Sequence, residues 1–505
     1  MSQNTVLIVG AGPTGLTLAL WLTQQNIQVR VIDKNASYAQ QSRAMAVQAR
    51  TLELYRQCEL SEAVVAAGNA NTRMNLWVRG KPKAQIPFSQ VGKALTPFPF
   101  ILTFPQDQHE QLLGERLQAA GVAIERQTEL IDFEENDAGV IARIRLADGS
   151  EQAVTCRFLA GCDGASSRVR HQLGIGFGGG TYEHLFYVAD VSATGPAANG
   201  EGHIAIDESD FVAVLPYTNG MRLIGALRDE REDAQEKSTF DDVGRLAIER
   251  LGLTITEVRW FSTYRVHHRV ADHYRQGKVF LLGDAAHVHS PVGGQGMNTG
   301  IGDAINLAWK LATVLRGEAQ ESLLDSYETE RKAFAHRLVH TTDKLFTFVV
   351  SNGSFANFVR TRIIPSLIKC AFSFARVRER LFRVVSQTEV AYLDSPLSRG
   401  RAGNIKGGER LPWVEINGRD NHSTLSSIRW QVHVYGQAAP SLREWCTNRN
   451  IALHEFTWDK PYRAAGFIRN AAYLIRPDTY IAVTEASGRP DVFEAYFARL
   501  GLMAS

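Results

Sequence analysis

The chain has 505 residues, 44% hydrophobic and 21% charged, with a formal net charge of +2 at pH 7. That length exceeds one ordinary core, so two or three domains are expected in a soluble globular protein. A charge so near zero supplies no field for nucleic acid or anionic lipid, and the five scattered cysteines, with no CxxC pair, argue against a disulfide framework or thiolate zinc site and suit a reducing, cytoplasmic setting.

The segment MSQNTVLIVGAGPTGLTLALWL is apolar but lacks the basic start of a signal peptide. It reads instead as strand, turn and helix. A β-branched strand over residues 6–9 meets Gly10-Ala11-Gly12-Pro13-Thr14-Gly15, apolar residues recur at helical spacing over 14–24, and 29–32 form a second buried strand. In this GxGxxG, Gly10 allows the tight turn. Gly12 opens the backbone amides to a pyrophosphate at the positive helix end. Gly15 lets helix and strand touch. Asp33 ends the second strand, with Lys34 beside it, where a carboxylate accepts from a ribose diol and repels a 2′-phosphate. The motif alone fits NAD or FAD.

Residues 50–55 and 109–119 read as helices, and 139–146 with 153–158 as a hairpin about Ala147-Asp148-Gly149. The stretch GIGFGGGTY from Gly174 imitates the fingerprint without a strand before it or a helix after it, and reads as a flexible connection. Short strands follow over 182–227, an inserted antiparallel sheet with one face packed and one over a ligand. Helix is expected over 303–315 and much of 323–392. Arg360, Arg362, Lys369, Arg376, Arg378, Arg380 and Arg383 make part of this basic, read as a solvated face whose other side packs on the body or a twin subunit, with a membrane-surface helix as the other reading. No apolar run approaches the ~20 residues of a membrane span. A boundary near Ser398 opens a small α/β domain over 398–505.

His287 and His289 form HxH without a third ligand, so no metal is assigned, and no GxSxG, HExxH or P-loop pattern supports hydrolysis.

Taken in order, the N-terminal GxGxxG, CDGASSRVR at 162–170 and GDAAHVHSPVGGQGMN at 283–298 resemble the single-component FAD-dependent aromatic hydroxylases, the class A flavoprotein monooxygenases. The likeness covers residues 1 to about 395. GGERLP followed by LIRPDTYIAV resembles the thioredoxin-like C-terminal domain of the phenol hydroxylase and polyketide hydroxylase branch, with Thr479 where the family usually has Gly. The resemblance implies an α/β fold: a Rossmann-like FAD-binding domain (1–180 and 265–395, with a helical extension), an inserted antiparallel-sheet substrate domain (181–264, with 76–104 contributing), and a redox-inactive thioredoxin-like domain (398–505).

It also implies roles. Asp284 would accept from ribityl hydroxyls. Pro291, Gly293, Gly294, Gly296, Met297 and Asn298 would line the isoalloxazine, the amides at the helix start facing its N1–C2=O edge. Asp163, Gly164 and Arg170 match a DG motif linked to FAD and transient NAD(P)H contacts. Arg43 sits where the family keeps an arginine near the cofactor, and Gln106 matches a glutamine beside the ribityl chain. The implied cycle is reduction of FAD by NADPH or NADH, addition of O2 at flavin C4a, and transfer of one oxygen to a small phenolic or polyketide-like aromatic substrate. A flavin oxidase or dehydrogenase, or a flavin-binding module without turnover, stands as the alternative.

No catalytic base is assigned. Relatives acting on simple phenols can carry Asp where Met45 stands, so Tyr217, Tyr264 and Arg43 remain as candidates. Phe98, Phe100, Phe104, Tyr187, Phe211 and Tyr217 are candidate walls for an aromatic ring.

Overall fold

The computed structural model describes residues 5–39, 44–206, 211–227, 239–243, 246–290, 293–350 and 374–502. Arg43, Pro291, Arg360, Arg362, Lys369 and Cys370 lie outside these.

The Val6–Val9 strand lies inside a six-stranded sheet, in the order Arg275–Gln276, Val279–Leu281, Phe158–Gly161, Val6–Val9, Val29–Ile32, Ile124–Glu125. All neighbours are parallel except the Arg275–Gln276 edge pair. Every residue of Val6–Val9 and Phe158–Gly161 is buried, the signature of strands covered on both faces. Helices Pro13–Thr23, Gln106–Ala119 and Gly296–Leu315 share this core, joining Leu16, Leu113 and Ile301 to Leu7 and Ile8. The region expected as a hairpin is a three-stranded sheet, Glu129–Asn136, Gly139–Arg145 and Glu151–Cys156.

A second, eight-stranded sheet runs in the order His287–Val288, Thr254–Ala271, Phe177–Thr194, Gly220–Leu227, Phe211–Tyr217, Gly202–Ile206, Arg73–Val78, Lys81–Pro87. Its alternation sorts two faces. Leu185, Tyr187, Ala189 and Val191 pack with Val212, Val214 and Leu223 on Ala247 and Ile248 of helix Leu246–Arg250. The opposite face carries Phe186, Val188 and Asp190 beside Ala226, Ile224 and Arg222. The glycine-rich stretch read as a flexible connection is instead paired strand: Phe177 to Gly180 lie opposite Ala271 to His268. A Cβ at Gly179 (φ +140°) would fall 1.9 Å from the His268 carbonyl oxygen, so this glycine serves a close strand approach.

Of the expected long helix, Asp325–Val350 and Ala375–Val385 are described. In the latter, Phe382 is buried against Phe88 while Arg376 and Arg380 are exposed. The C-terminal sheet has the order Ala452–Phe456, Gln431–Tyr435, Ala472–Ile475, Ile481–Glu485, parallel in the first pair and antiparallel in the rest. With helices Pro440–Asn448 and Asp491–Leu500 this is the thioredoxin-like arrangement. Trp309, from the helix Gly296–Leu315, is buried in its core.

Candidate flavin and substrate site

The N-terminal loop is shaped by contacts that exclude side chains. Gly10 has φ +104°, and a Cβ there would meet the Cys162 oxygen at 2.3 Å; one at Gly15 would meet the Gly10 oxygen at 2.0 Å. At Gly12 nothing lies nearer than Glu110 Oε1 at 4.0 Å, so this face of the loop is open to a ligand. Pro13 takes the first helical position, where its missing N–H costs nothing, and the Thr14 hydroxyl fills the approach to Gly283 and Gly300. Asp33 accepts from Ala11 N–H and Asn35 N–H, each at 2.7 Å, and Arg126 lies 3.5 Å away. Its remaining lone pairs suit a diol. Lys34 is exposed beside it.

Gln106 is aimed by a residue that sequence patterns did not single out. Its Nε2 donates to Glu110 Oε1 at 2.7 Å, and Ala39 N–H donates to Glu110 Oε2 at 3.1 Å. Burial pushes the Glu110 carboxyl above its ordinary pKa. Only helical periodicity in Gln106–Ala119 could have pointed to it.

The DG segment forms a brace. Asp163 Oδ2 accepts from Val169 N–H at 3.1 Å, while its Oδ1 is buried without a protein partner. Gly164 has φ +80°. Arg170 is buried and donates to the Ala165 and Ala285 carbonyls at 2.8 and 2.9 Å. The guanidinium therefore ties this loop to the turn carrying Asp284. Asp284 itself is open to solvent in a recess whose walls desolvate it and raise its pKa.

After that turn the backbone bends sharply, with Gly293 at φ +81° and Gly294 at φ +62°. A Cβ at Gly294 would lie 2.5 Å from that of Ala46. Gly296 begins the next helix and Met297 is half-buried behind it. The side chain of Asn298 is fully engaged by protein. Its Oδ1 accepts from Gln48 N–H (2.9 Å) and Thr51 Oγ1 (2.8 Å), and its Nδ2 donates to the Ala46 and Gly294 carbonyls. Only its backbone amide and the shape of the loop are therefore left for a ligand. His287 donates to Asp303 at 2.6 Å, and burial lowers His289 to about 4. Among the described residues no cluster of three or more metal-type side chains is present.

The sheet face bearing Phe186, Val188, Ile224 and Ala226 also carries Phe211 and Tyr217 by register, with Tyr264 6.0 Å from Phe186. It is apolar except at one end. There Arg222 makes two 2.7 Å bonds to Asp190 and reaches the Ala44 carbonyl at 3.5 Å. Burial raises the Tyr217 pKa, and Arg259 lies 5.8 Å from its ring. Phe98 and Phe100 are half-buried, edge to face at 6.2 Å. Two expected wall residues are misplaced for that role. Phe104 packs on His109 within the core of the dinucleotide domain. Tyr187 stacks on Phe261 on the helix-covered face. Both are apolar strand or strand-flanking residues, and periodicity alone does not tell which face meets a ligand.

Residues 3–342 match the family model described as FAD binding domain. The chain is 36% identical to 6-methylpretetramide 4-monooxygenase of Streptomyces rimosus, over 84% of this chain and 76% of that protein. It is 35% identical to pentachlorophenol 4-monooxygenase of Sphingobium chlorophenolicum, over 70% and 66%. The solved structure of anhydrotetracycline hydroxylase from Streptomyces rimosus superposes with a TM-score of 0.79 at 29% identity, covering 99% of each chain. The glycine-shaped loop, the orphaned Asp163 oxygen and the bent 293–298 segment fit FAD, and among the described residues no helix is long and apolar enough to cross a membrane. The chain belongs to the FAD-dependent aromatic hydroxylases, monooxygenases that carry FAD and draw on NAD(P)H.

Proposed function

We propose that this enzyme hydroxylates a phenolic or polyketide-like polycyclic aromatic substrate, using O2 and NADPH or NADH. The observation that carries the reading is the sheet face opposite helix Leu246–Arg250. Phe186, Val188 and Tyr264 form an apolar layer there with Ile224 and Ala226 packed against it, and Arg222 with Asp190 supplies polar recognition at one end. Relatives named for pretetramide and tetracycline intermediates support a fused-ring substrate, and the relative named for pentachlorophenol supports a single phenol.

Gly12, Asp33, Gln106, Asp163, Asp284 and the amides of Gly296 to Asn298 would hold the cofactor, with Arg170 bracing two of its loops. Bound FAD supplies oxygen activation. The chain's own residues exclude water with the apolar layer and orient the ring against it. Tyr217 and Tyr264 stand on this face as candidates to hold the phenol proton. The test is anaerobic mixing with NADPH and NADH across a panel of single-ring and fused-ring phenols, then turnover in labelled O2. Flavin reduction accelerated by fused-ring phenols, an absorbance transient of a C4a-hydroperoxide and one labelled oxygen in product are expected. Label found only in hydrogen peroxide or water would make the enzyme an oxidase or dehydrogenase.

A further inference from the structure

Behind the 283–298 segment lies a buried ionic relay that none of the proposed cofactor contacts includes. Asp303, on helix Gly296–Leu315, is fully buried. Its Oδ2 accepts from Gly283 N–H at 3.0 Å and from His287 Nε2 at 2.6 Å. One carboxylate thus clamps both ends of the turn from which Asp284 projects. Its Oδ1 accepts from Arg331 Nε at 2.6 Å. Arg331, on helix Asp325–Val350, spends its other nitrogens elsewhere: Nη2 donates to the Thr299 carbonyl at 2.9 Å and Nη1 to the Tyr392 hydroxyl at 2.8 Å. Thr299 lies one residue beyond the amides of the helix start. The Tyr392 ring packs 4.5 Å from that of Tyr480, in the C-terminal domain, and Arg50 lies 4.7 Å above Tyr480. Burial alone would raise the Asp303 pKa; Arg331 and His287 outweigh it and keep the carboxyl ionised.

We propose that Arg331 and Asp303 are positioning residues for FAD, and that through Tyr392 and Tyr480 the thioredoxin-like domain becomes part of the flavin site's support. This rests on the cofactor placement proposed above. A guanidinium that bridges three acceptors on two segments fixes their relative positions more tightly than a point charge does. Here those segments are helix Gly296–Leu315, held at Thr299 and Asp303, and the stretch at Tyr392 against the C-terminal domain; Asp303 passes the restraint on to the turn of Asp284. Removing it leaves Asp303 as an uncompensated buried charge near Asp284, so the turn shifts or the carboxyl takes a proton. Either outcome alters the field at the flavin without touching it.

The experiment uses full-length purified protein. FAD affinity, the visible flavin spectrum, the flavin midpoint potential and the thermal midpoint are measured for wild type, Arg331→Met, Arg331→Lys, Asp303→Asn and Tyr392→Phe. The expected result is at least a tenfold loss of FAD affinity in Arg331→Met, with a displaced midpoint potential and spectrum. Arg331→Lys should recover part of both, and Tyr392→Phe should shift the potential while staying folded. A purely structural role would lower the thermal midpoint and leave spectrum and potential of the bound flavin at wild-type values; that result overturns the proposal. If Arg331→Met fails to fold, Tyr392→Phe and Asp303→Asn decide it on the same readouts. Wild-type protein that takes up no FAD at this loop overturns the cofactor placement as well, and so is distinct from variants that merely behave as wild type.

Discussion

At the scale of single residues, Gly12 and Gly15 share one motif and are constrained for different reasons. A methyl at Gly15 would stand 2.0 Å from the Gly10 oxygen, so Gly15→Ala must push strand and helix apart, at a cost of about 3 kcal/mol or more. A methyl at Gly12 meets no atom nearer than 4.0 Å. Gly12→Ala should therefore keep the thermal midpoint of FAD-free protein while weakening FAD at least tenfold. Calorimetry and cofactor titration of both variants check this, and equal loss of stability would refute the distinction. Thr479 offers a second contrast. This β-branched residue sits at φ +68°, a conformation suited to glycine, and its hydroxyl accepts from Arg50 Nη2 at 2.8 Å. Thr479→Ala keeps the backbone strain and loses a charged hydrogen bond, so about 1–2 kcal/mol of stability should go. Thr479→Gly loses the same bond but relieves the strain. Denaturant unfolding should rank the glycine variant above the alanine variant.

At the scale of elements, the strongest ties are those between the dinucleotide domain and the C-terminal domain. Arg476 donates to both oxygens of Glu330 (2.6 and 2.9 Å) and to Asp478 (2.9 and 2.6 Å), and Lys310 donates to Glu330 at 2.8 Å, all essentially without solvent exposure. Breaking such a group from one side leaves buried carboxylates without their cation. Arg476→Met should cost about 3–5 kcal/mol in denaturant unfolding, and a loss under 1 kcal/mol would show the junction to be hydrated. The same junction marks where sequence reading stops. The turn at Gly10, the open face at Gly12 and the strand-end position of Asp33 were legible because a tight turn, an open amide and a strand-end carboxylate are local demands. Glu330 and Arg476 are 146 residues apart, and Asp303, Arg331 and Glu110 carry no motif of their own, so only the folded chain brings them together. Tyr187 failed for a related reason: a two-residue period places it on one face of a strand but does not say whether a ligand or a helix covers that face.

At the scale of the whole molecule, buried titratable groups of both kinds set how the fold responds to acid. Burial lowers His109 to about 3 and His289 to about 4, and burial with the Arg410 charge lowers His422. Each folded value lies below the ordinary 6.5, so between those values the unfolded chain binds more protons, and stability falls as pH falls from about 6.5. The paired carboxylates Glu53 and Asp303 act in the same direction at lower pH, whereas Glu110 and Asp284, raised by burial, act against it. Burial would raise Glu53, but the Arg410 guanidinium outweighs it and holds the group down to about 2; Arg331 and His287 likewise hold Asp303 below its ordinary value. Their contribution is present above the unfolded carboxylate pKa and is lost as pH drops below about 4.5. Each histidine supplies a slope of about 1.4 kcal/mol per pH unit inside its window. Burial also lowers His433, and several such groups acting together near pH 5 become comparable to a domain's whole margin of about 5–15 kcal/mol. Unfolding free energy measured in denaturant should therefore be flat around pH 7, decline from about pH 6.5 and steepen further below about 4.5. His422→Gln should reduce the slope near pH 5 by up to about 1.4 kcal/mol per pH unit, because it deletes one titration while leaving a donor for the Leu411 carbonyl that His422 contacts at 2.9 Å. Stability unchanged between pH 7 and 5 would mean that water reaches these rings, and that the cores at His109 and His422 open on the timescale of protonation.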